Sequence, residues 1–471
     1  MNAPLKFAGA CGIAFVLGLV TLPAADEAAS STVPANPTFT RDVLPIFQKS
    51  CEVCHRPGHM APFSTVTYED ARPWARSIKQ KVESRYMPPW HIDRTIGEYE
   101  PDPSLSDEQI AIISKWVDNG APKGDLKDAP PPVKWPSDDQ WSFGEEPDLI
   151  INAPVAHIPA TGPDMYPTPA VPSGMTEDRY IKWIQVLPGA VKIDHHIIVL
   201  AHQPESPIAP LIEDRNRGDR NNNNVNNGGG AAGNAAGLGV GRVAVGGEKV
   251  ARLAEYARGN DGDIYTDNEG MLLQAGAIIS FEFHYHPNGE SEATDATKVG
   301  IKFWPRGYKP KHLVSTRGIS SSDQLIIPPN EVARSDSYFQ LQQPARLVSY
   351  QPHGHYRLSH MKLEAILPSG EVQVITDVPH FVWTWQITYP YKYQPAYPKG
   401  TVLHSIAWHD NTAANKENPD PTAFVGGGAR TVDEMNIGWL DFYYINDDEY
   451  AQVSKEQQER EKAKAASTNQ Q

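Results

Sequence analysis

The rhythm of apolar and polar positions changes three times along the chain. Residues 7–22 form a nearly unbroken apolar run from Phe7 to Leu22. Between residues 37 and 128 the apolar positions recur at helical spacing. Val43, Ile46 and Phe47 make one stripe, in which Pro45 is an awkward residue. Pro73 is suited to opening a second helix that carries Trp74, Ile78 and Val82. Ser106-Asp-Glu-Gln109 reads as a capping box for a third helix bearing Ile110, Ile113, Trp116 and Val117. Asn119-Gly120 and Pro122 then stop it. A proline-rich linker follows over residues 129–145. Beyond it, short runs such as Tyr180–Leu187, Ala277–Phe283 and Met361–Leu367 alternate with Pro/Gly turns, a pattern that predicts strands. The expected fold is therefore a small all-α domain followed by an all-β region.

Two segments fall outside these patterns. Residues 213–249 include Asn221 to Asn224 and Gly228 to Gly230, a low-complexity stretch too polar to pack, expected as a surface insertion. Residues 449–471, rich in Lys, Glu and Gln, are expected as a solvated helix or a charged tail.

Composition narrows the function classes. With 42 Lys+Arg against 57 Asp+Glu, the net charge of −15 argues against a general nucleic-acid binder, which must neutralise phosphates. The 471 residues would make about three domains at roughly 150 residues each. The apolar run after Lys6 ends in Pro23-Ala-Ala25, which describes a secretory signal peptide cleaved near Ala25. Read as an uncleaved anchor, it falls slightly short of a spanning helix. Both readings predict export, to the periplasm or beyond. Only three cysteines occur, Cys11, Cys51 and Cys54, so no disulfide framework braces the β region.

Cys51-Glu-Val-Cys54-His55 is the C-x-x-C-H pattern of c-type haem attachment. Two thiols at this spacing add to the haem vinyl groups while the adjacent His55 reaches iron. Zinc would need further ligands, and no further cysteines exist. Met87, in Tyr86-Met-Pro-Pro-Trp90, fits best as second axial ligand, because Pro88 and Pro89 force an extended loop. Met60 and His91 are rivals, and plain packing of Met87 is the alternative. The order of helix, C-x-x-C-H, helix, Met-Pro and final helix over residues 37–128 resembles a class I cytochrome c.

Three histidine groupings punctuate the β region: His195-His196, His284-Tyr-His286 and His353-Gly-His355. Imidazole suits copper, zinc, iron and nickel, so histidine alone does not name the metal. His284 and His286 share one face of a regular strand, as do His353 and His355. His195 and His196 would face opposite ways unless a bulge or a strand end intervenes. Met435, where a later strand begins, adds a soft thioether, and a His₂Met set favours copper over zinc.

Ile193-Asp-His-His-Ile-Ile-Val199, Glu282-Phe-His-Tyr285, His353-Gly-His355 and Asp433-Glu-Met435 occur in the order found in copper type II, ascorbate-dependent monooxygenases. The chain resembles that family, which includes peptidylglycine α-hydroxylating and dopamine β-monooxygenases, over residues 146–448. The resemblance implies two consecutive antiparallel jelly-roll domains, here 146–308 and 309–448, each holding one copper. It assigns His195, His196 and His284 to the copper that passes electrons. His353, His355 and Met435 fall to the copper that binds dioxygen. His286 has no ligand counterpart and is expected to lie behind the ligands.

The chain departs from the family in having no β-region cysteine. Gln351 stands where one branch has a carboxylate-gripping arginine, and Trp439 at a substrate-tyrosine position. The expected protein is thus an exported monooxygenase with two coppers and one covalent haem c. It would hydroxylate a C–H bond of a small organic substrate with O₂, drawing electrons from an external redox protein or an ascorbate-like reductant. The alternatives are a non-catalytic haem–copper electron-transfer or copper-binding protein and, if the iron site is open, a haem peroxidase.

Overall fold

The computed structural model describes residues 33–204 and 250–468, apart from Met60, Pro136, Asp138, Arg258, Gly259 and Ala429. The proposed signal peptide, the 213–249 insertion, Met60 and the last residues of the tail lie outside the described residues.

Four short helices pack around one apolar core at the start of the described chain. A π-helical turn, Phe39–Val43, runs into helix Leu44–Ser50 with Pro45 in its first turn, where the missing N–H costs nothing. Val43, Ile46 and Phe47 are all buried, as the stripe requires. The second helical segment begins earlier than Pro73 suggests. Thr67 caps Tyr68–Ala71 by accepting the Asp70 N–H, Arg72–Trp74 is a 3₁₀ turn, and Ala75–Glu83 completes the segment. Trp74 consequently leaves the core face, 42% exposed, and stacks on Phe63. The capping box at Ser106 and Gln109 is present in both directions and opens Asp107–Asp118. Gly120, at φ +87°, follows that helix in the left-handed conformation glycine tolerates best. Trp116 lies fully buried at the centre of this core.

The rest of the described chain is almost all antiparallel sheet. Strands between Leu149 and Leu313 form a six-stranded and a four-stranded sheet, whose facing sides bury Ile181, Ile184, Ile197, Val199, Phe281 and Val299 in one core. Strands between Ser315 and Tyr444 form a five-stranded and a four-stranded sheet around Leu347, Tyr350, Leu363, Leu403 and Leu440. Both are β-sandwiches, as expected from alternating strands that each bury one face. Tyr443 and Ile445, at the end of the second sandwich, pack into the core of the first.

Two further segments tie the parts together. Ile92 and Tyr99, in the irregular stretch between the second and final N-terminal helices, join the core of the second sandwich. There Tyr99 donates its hydroxyl to the Ile375 carbonyl, and Trp90 packs edge-on against Tyr389. The tail is a helix, Asp447–Thr468, whose Tyr450 and Val453 rest on the first core. No helix among the described residues is long and apolar enough to cross a membrane.

Candidate metal centre

His195 and His196 open the strand Asp194–His202, which pairs with Ile278–Tyr285. The register slips by one residue between Asp194 and His196, so a bulge at His195 turns both rings to the same side. His196 then sits directly opposite His284. The Nδ1 atoms of His195 and His196 are 3.2 Å apart, and the His284 ring centroid lies 4.6 and 5.0 Å from theirs. One nitrogen from each of the three rings lies within 4.8 Å of the others. Burial holds the His196 pKa well below its ordinary value, with the neighbouring histidines acting the same way. A neutral imidazole keeps the lone pair that a metal needs.

His353 ends the strand Ala345–His353, and His355 follows two residues past it, their ring centroids 5.8 Å apart. Burial, reinforced by His355, pushes His353 down to about 3, with Gln386 acting weakly in the opposite direction. His353 Nδ1 is buried without a well-formed hydrogen bond. Burial likewise lowers His355 to about 4, partly offset by the Asp433 carbonyl. His355 Nδ1 donates to that carbonyl at 3.2 Å, which leaves Nε2 with the lone pair. Met435 is buried in the segment leading into strand Ile437–Tyr444. A Cβ at position 354 would come within 2.8 Å of the Met435 carbonyl oxygen, so the His-Gly-His and Met435 backbones run in direct contact. Glu434 fastens them. Its carboxylate accepts the N–H groups of His355 (3.0 Å), Arg357 (2.6 Å) and Met435 (3.3 Å). His409 Nε2 donates to the Met435 carbonyl at 3.1 Å.

The two groups face one another, with the rings of His196 and His353 edge to face at 5.7 Å. Trp383, from the second sandwich, stacks on His195 (5.2 Å, 19°) and meets Tyr356 edge-on. Asp164 ties the first group to Thr431, in the segment that leads to Met435: Oδ2 accepts from His284 Nε2 (2.7 Å) and Thr431 Oγ1 (3.2 Å), and Oδ1 from His286 Nδ1 (2.7 Å). Burial pushes the Asp164 carboxyl up, but the bonds from His284 and His286 outweigh it and hold it below the usual carboxylate range. His286 stands just beyond its strand, largely exposed, touching the same carboxylate as His284.

The histidines singled out in the β region and the Met435 segment thus gather into one region, and four other residues join them. Asp164, Trp383 and Thr431 carry no sequence signal, being single residues in irregular segments. Glu434 lies inside the Asp433-Glu-Met435 motif, where its acceptor role becomes visible only in three dimensions.

In the helical unit, Cys51 and Cys54, neither in a disulfide, share one tight turn, in which the N–H groups of Cys54 and His55 both reach the Cys51 carbonyl. Burial pushes the Cys51 thiol up to about 12, with Cys54 and Glu52 adding to it. His55 Nδ1 lies 3.0 Å from the Phe63 carbonyl, an orientation that directs Nε2 away from the backbone. The two thiols and the fixed His55 ring therefore sit together on this one turn. Met87 lies half-buried just after Ala75–Glu83, its N–H on the Lys81 carbonyl. His91 places Nε2 at 3.5 Å from the Tyr86 carbonyl.

No family model and no curated protein matches the chain. Among solved structures it is similar to PNGF-II at 9% identity and a TM-score of 0.25, covering 64% of this chain and 63% of that one. It is also similar to the N-terminal CBM22-1–CBM22-2 tandem of Paenibacillus barcinonensis Xyn10C at 7% identity and a TM-score of 0.14. That match covers 65% of this chain and 100% of the tandem. The chain thus spans under two thirds of PNGF-II. Likenesses of this size carry no argument about fold or chemistry.

Proposed function

We propose that the chain is an exported copper-dependent monooxygenase of the ascorbate-dependent type II class, with two jelly-roll sandwiches behind a cytochrome c-like haem domain. The observation that carries this reading is the His195/His196/His284 triad, with one nitrogen of each ring within 4.8 Å of the others, facing His353, His355 and Met435. Copper held by these two sets would supply one-electron redox chemistry and dioxygen activation. A haem c held by Cys51, Cys54, His55 and Met87 would supply the electron relay from an external donor. Overall, a C–H bond, one O₂, two electrons and two protons give an alcohol and water.

The chain's own residues support that chemistry in distinct ways. Burial keeps His196, His353 and His355 unprotonated at neutral pH, so their lone pairs stay available. The Met435 thioether favours the reduced state of copper over the oxidised one. Trp383, stacked on His195, screens that ring from water. Glu434 holds the His355 and Met435 segments in register.

A second reading, a haem–copper protein that passes electrons without a substrate, is favoured by one observation. Gln351 and Trp439, at the family's substrate-binding positions, are sealed, with Gln351 bonded to Arg252 and to the Gln386 carbonyl. The test is export from a host that matures cytochrome c, copper loading, and oxygen uptake with ¹⁸O₂ across a panel of small organic substrates. Substrate-dependent uptake with one ¹⁸O atom in the product is expected. Full copper loading with no uptake on any substrate would favour the second reading.

A further inference from the structure

We propose that Asp164 is the positioning residue of the His195/His196/His284 cluster, fixing which nitrogen of His284 is offered to a metal and tying that ring to the Met435 segment. This rests on the reading of the cluster as a metal site.

The argument begins with the backbone. Met165 forms an antiparallel bridge with Tyr285, its N–H and carbonyl exchanging 3.0 Å bonds with the residue between the two histidines. That pairing sets Asp164 beside both His284 and His286. An ionised carboxylate only accepts hydrogen bonds, so the 2.7 Å contact from His284 Nε2 places the ring proton on Nε2. The lone pair of neutral His284 is then on Nδ1. His195 and His196 approach each other through the same type of atom, Nδ1 to Nδ1. A carboxylate behind a ligating imidazole fixes its tautomer and raises its basicity.

The remaining contacts make Asp164 part of a rigid frame. Tyr166 stacks on the His284 ring with centroids 4.6 Å apart. Its hydroxyl accepts the Thr431 N–H at 3.1 Å and lies 2.7 Å from Thr431 Oγ1, which itself donates to Asp164. Thr431 is four residues before Met435, so one short loop of the first sandwich anchors the segment that bears the candidate thioether. His286 takes the other carboxylate oxygen, which gives this otherwise unassigned histidine a place without making it a ligand.

Two measurements test this. In the unaltered protein, ¹⁵N imidazole NMR should show His284 protonated at Nε2, with zinc shifting its Nδ1. A His284 found as the Nδ1–H tautomer would overturn the proposal. Chelator competition with Cu(I) should show Asp164→Asn binding the cluster about 10–100-fold more weakly, while His286→Gln stays close to the parent. Equal affinity of parent and Asp164→Asn, both folded by near-UV circular dichroism, would also overturn it. A parent that takes no metal at His195, His196 and His284 would overturn the underlying site reading together with the proposal.

Discussion

Replacing Glu434 by alanine should cost a large share of the second sandwich's stability. The side chain is fully buried, and its two oxygens serve three backbone N–H groups, those of Arg357, His355 and Met435. Burial raises its carboxyl to about 7, opposed by those same hydrogen bonds. A buried donor left without its acceptor costs about 1–3 kcal/mol, and the Met435 bond, at 3.3 Å, is the weakest of the three. Relief of the carboxylate's own burial offsets part of the loss. The expected change is about 4 kcal/mol, a large share of the roughly 5–15 kcal/mol that holds a typical domain folded. Glu434→Gln keeps the shape and one acceptor oxygen but turns an amide towards a backbone N–H, so roughly half that loss is expected. Urea unfolding followed by tryptophan fluorescence provides the measurement. A loss below about 1 kcal/mol for Glu434→Ala would refute the claim that these bonds hold the His-Gly-His and Met435 segments together.

Other changes have equally definite outcomes. His202 and His409 are buried and lowered from 6.5 to about 4 by burial, so the unfolded chain takes up protons before the folded one as pH falls. Their contribution is intact above pH 6.5 and lost between 6.5 and about 4, by roughly 3 kcal/mol each at about 1.4 kcal/mol per unit; denaturation midpoints that stay flat over that window would contradict it. Tyr99→Ala empties a buried aromatic site in the second core and should cost about 3–5 kcal/mol, seen as an earlier unfolding transition; Tyr99→Phe should cost about 1 kcal/mol through the lost bond to the Ile375 carbonyl. Met435→Ala should weaken Cu(I) binding at the His353/His355 set far more than Cu(II) binding, because only the soft ligand is removed; equal losses for both oxidation states would take Met435 out of the site.

The sequence was most informative where chemistry is local. The capping box at Ser106, the apolar stripe through Phe47 and the strand-end placement of the histidines all follow from near-neighbour spacing. The requirement for a bulge at His195-His196 also followed from strand geometry, and the slipped register between Asp194 and His196 meets it. Thr67 caps its helix with no glutamate or glutamine three residues on to mark it, whereas Pro73 is a conspicuous helix opener, so the spacing alone puts Trp74 on a face it does not occupy. Asp164, Thr431 and Trp383 lie 120 or more residues from the histidines they touch, in loops without periodicity. Their roles depend on how the two sandwiches meet. The docking of Ile92 and Tyr99 into the second core was hidden for the same reason, since a loop sequence does not reveal its partner.

The central claim is that one chain carries covalent haem at Cys51 and Cys54 and two coppers at its two histidine groups. Native mass spectrometry of the exported, copper-loaded protein tests it most directly. One haem that survives denaturation and two copper ions that vanish on denaturation are expected, with His196→Ala and His353→Ala each losing one copper. Haem released on denaturation, or copper occupancy unchanged in both variants, would contradict the account.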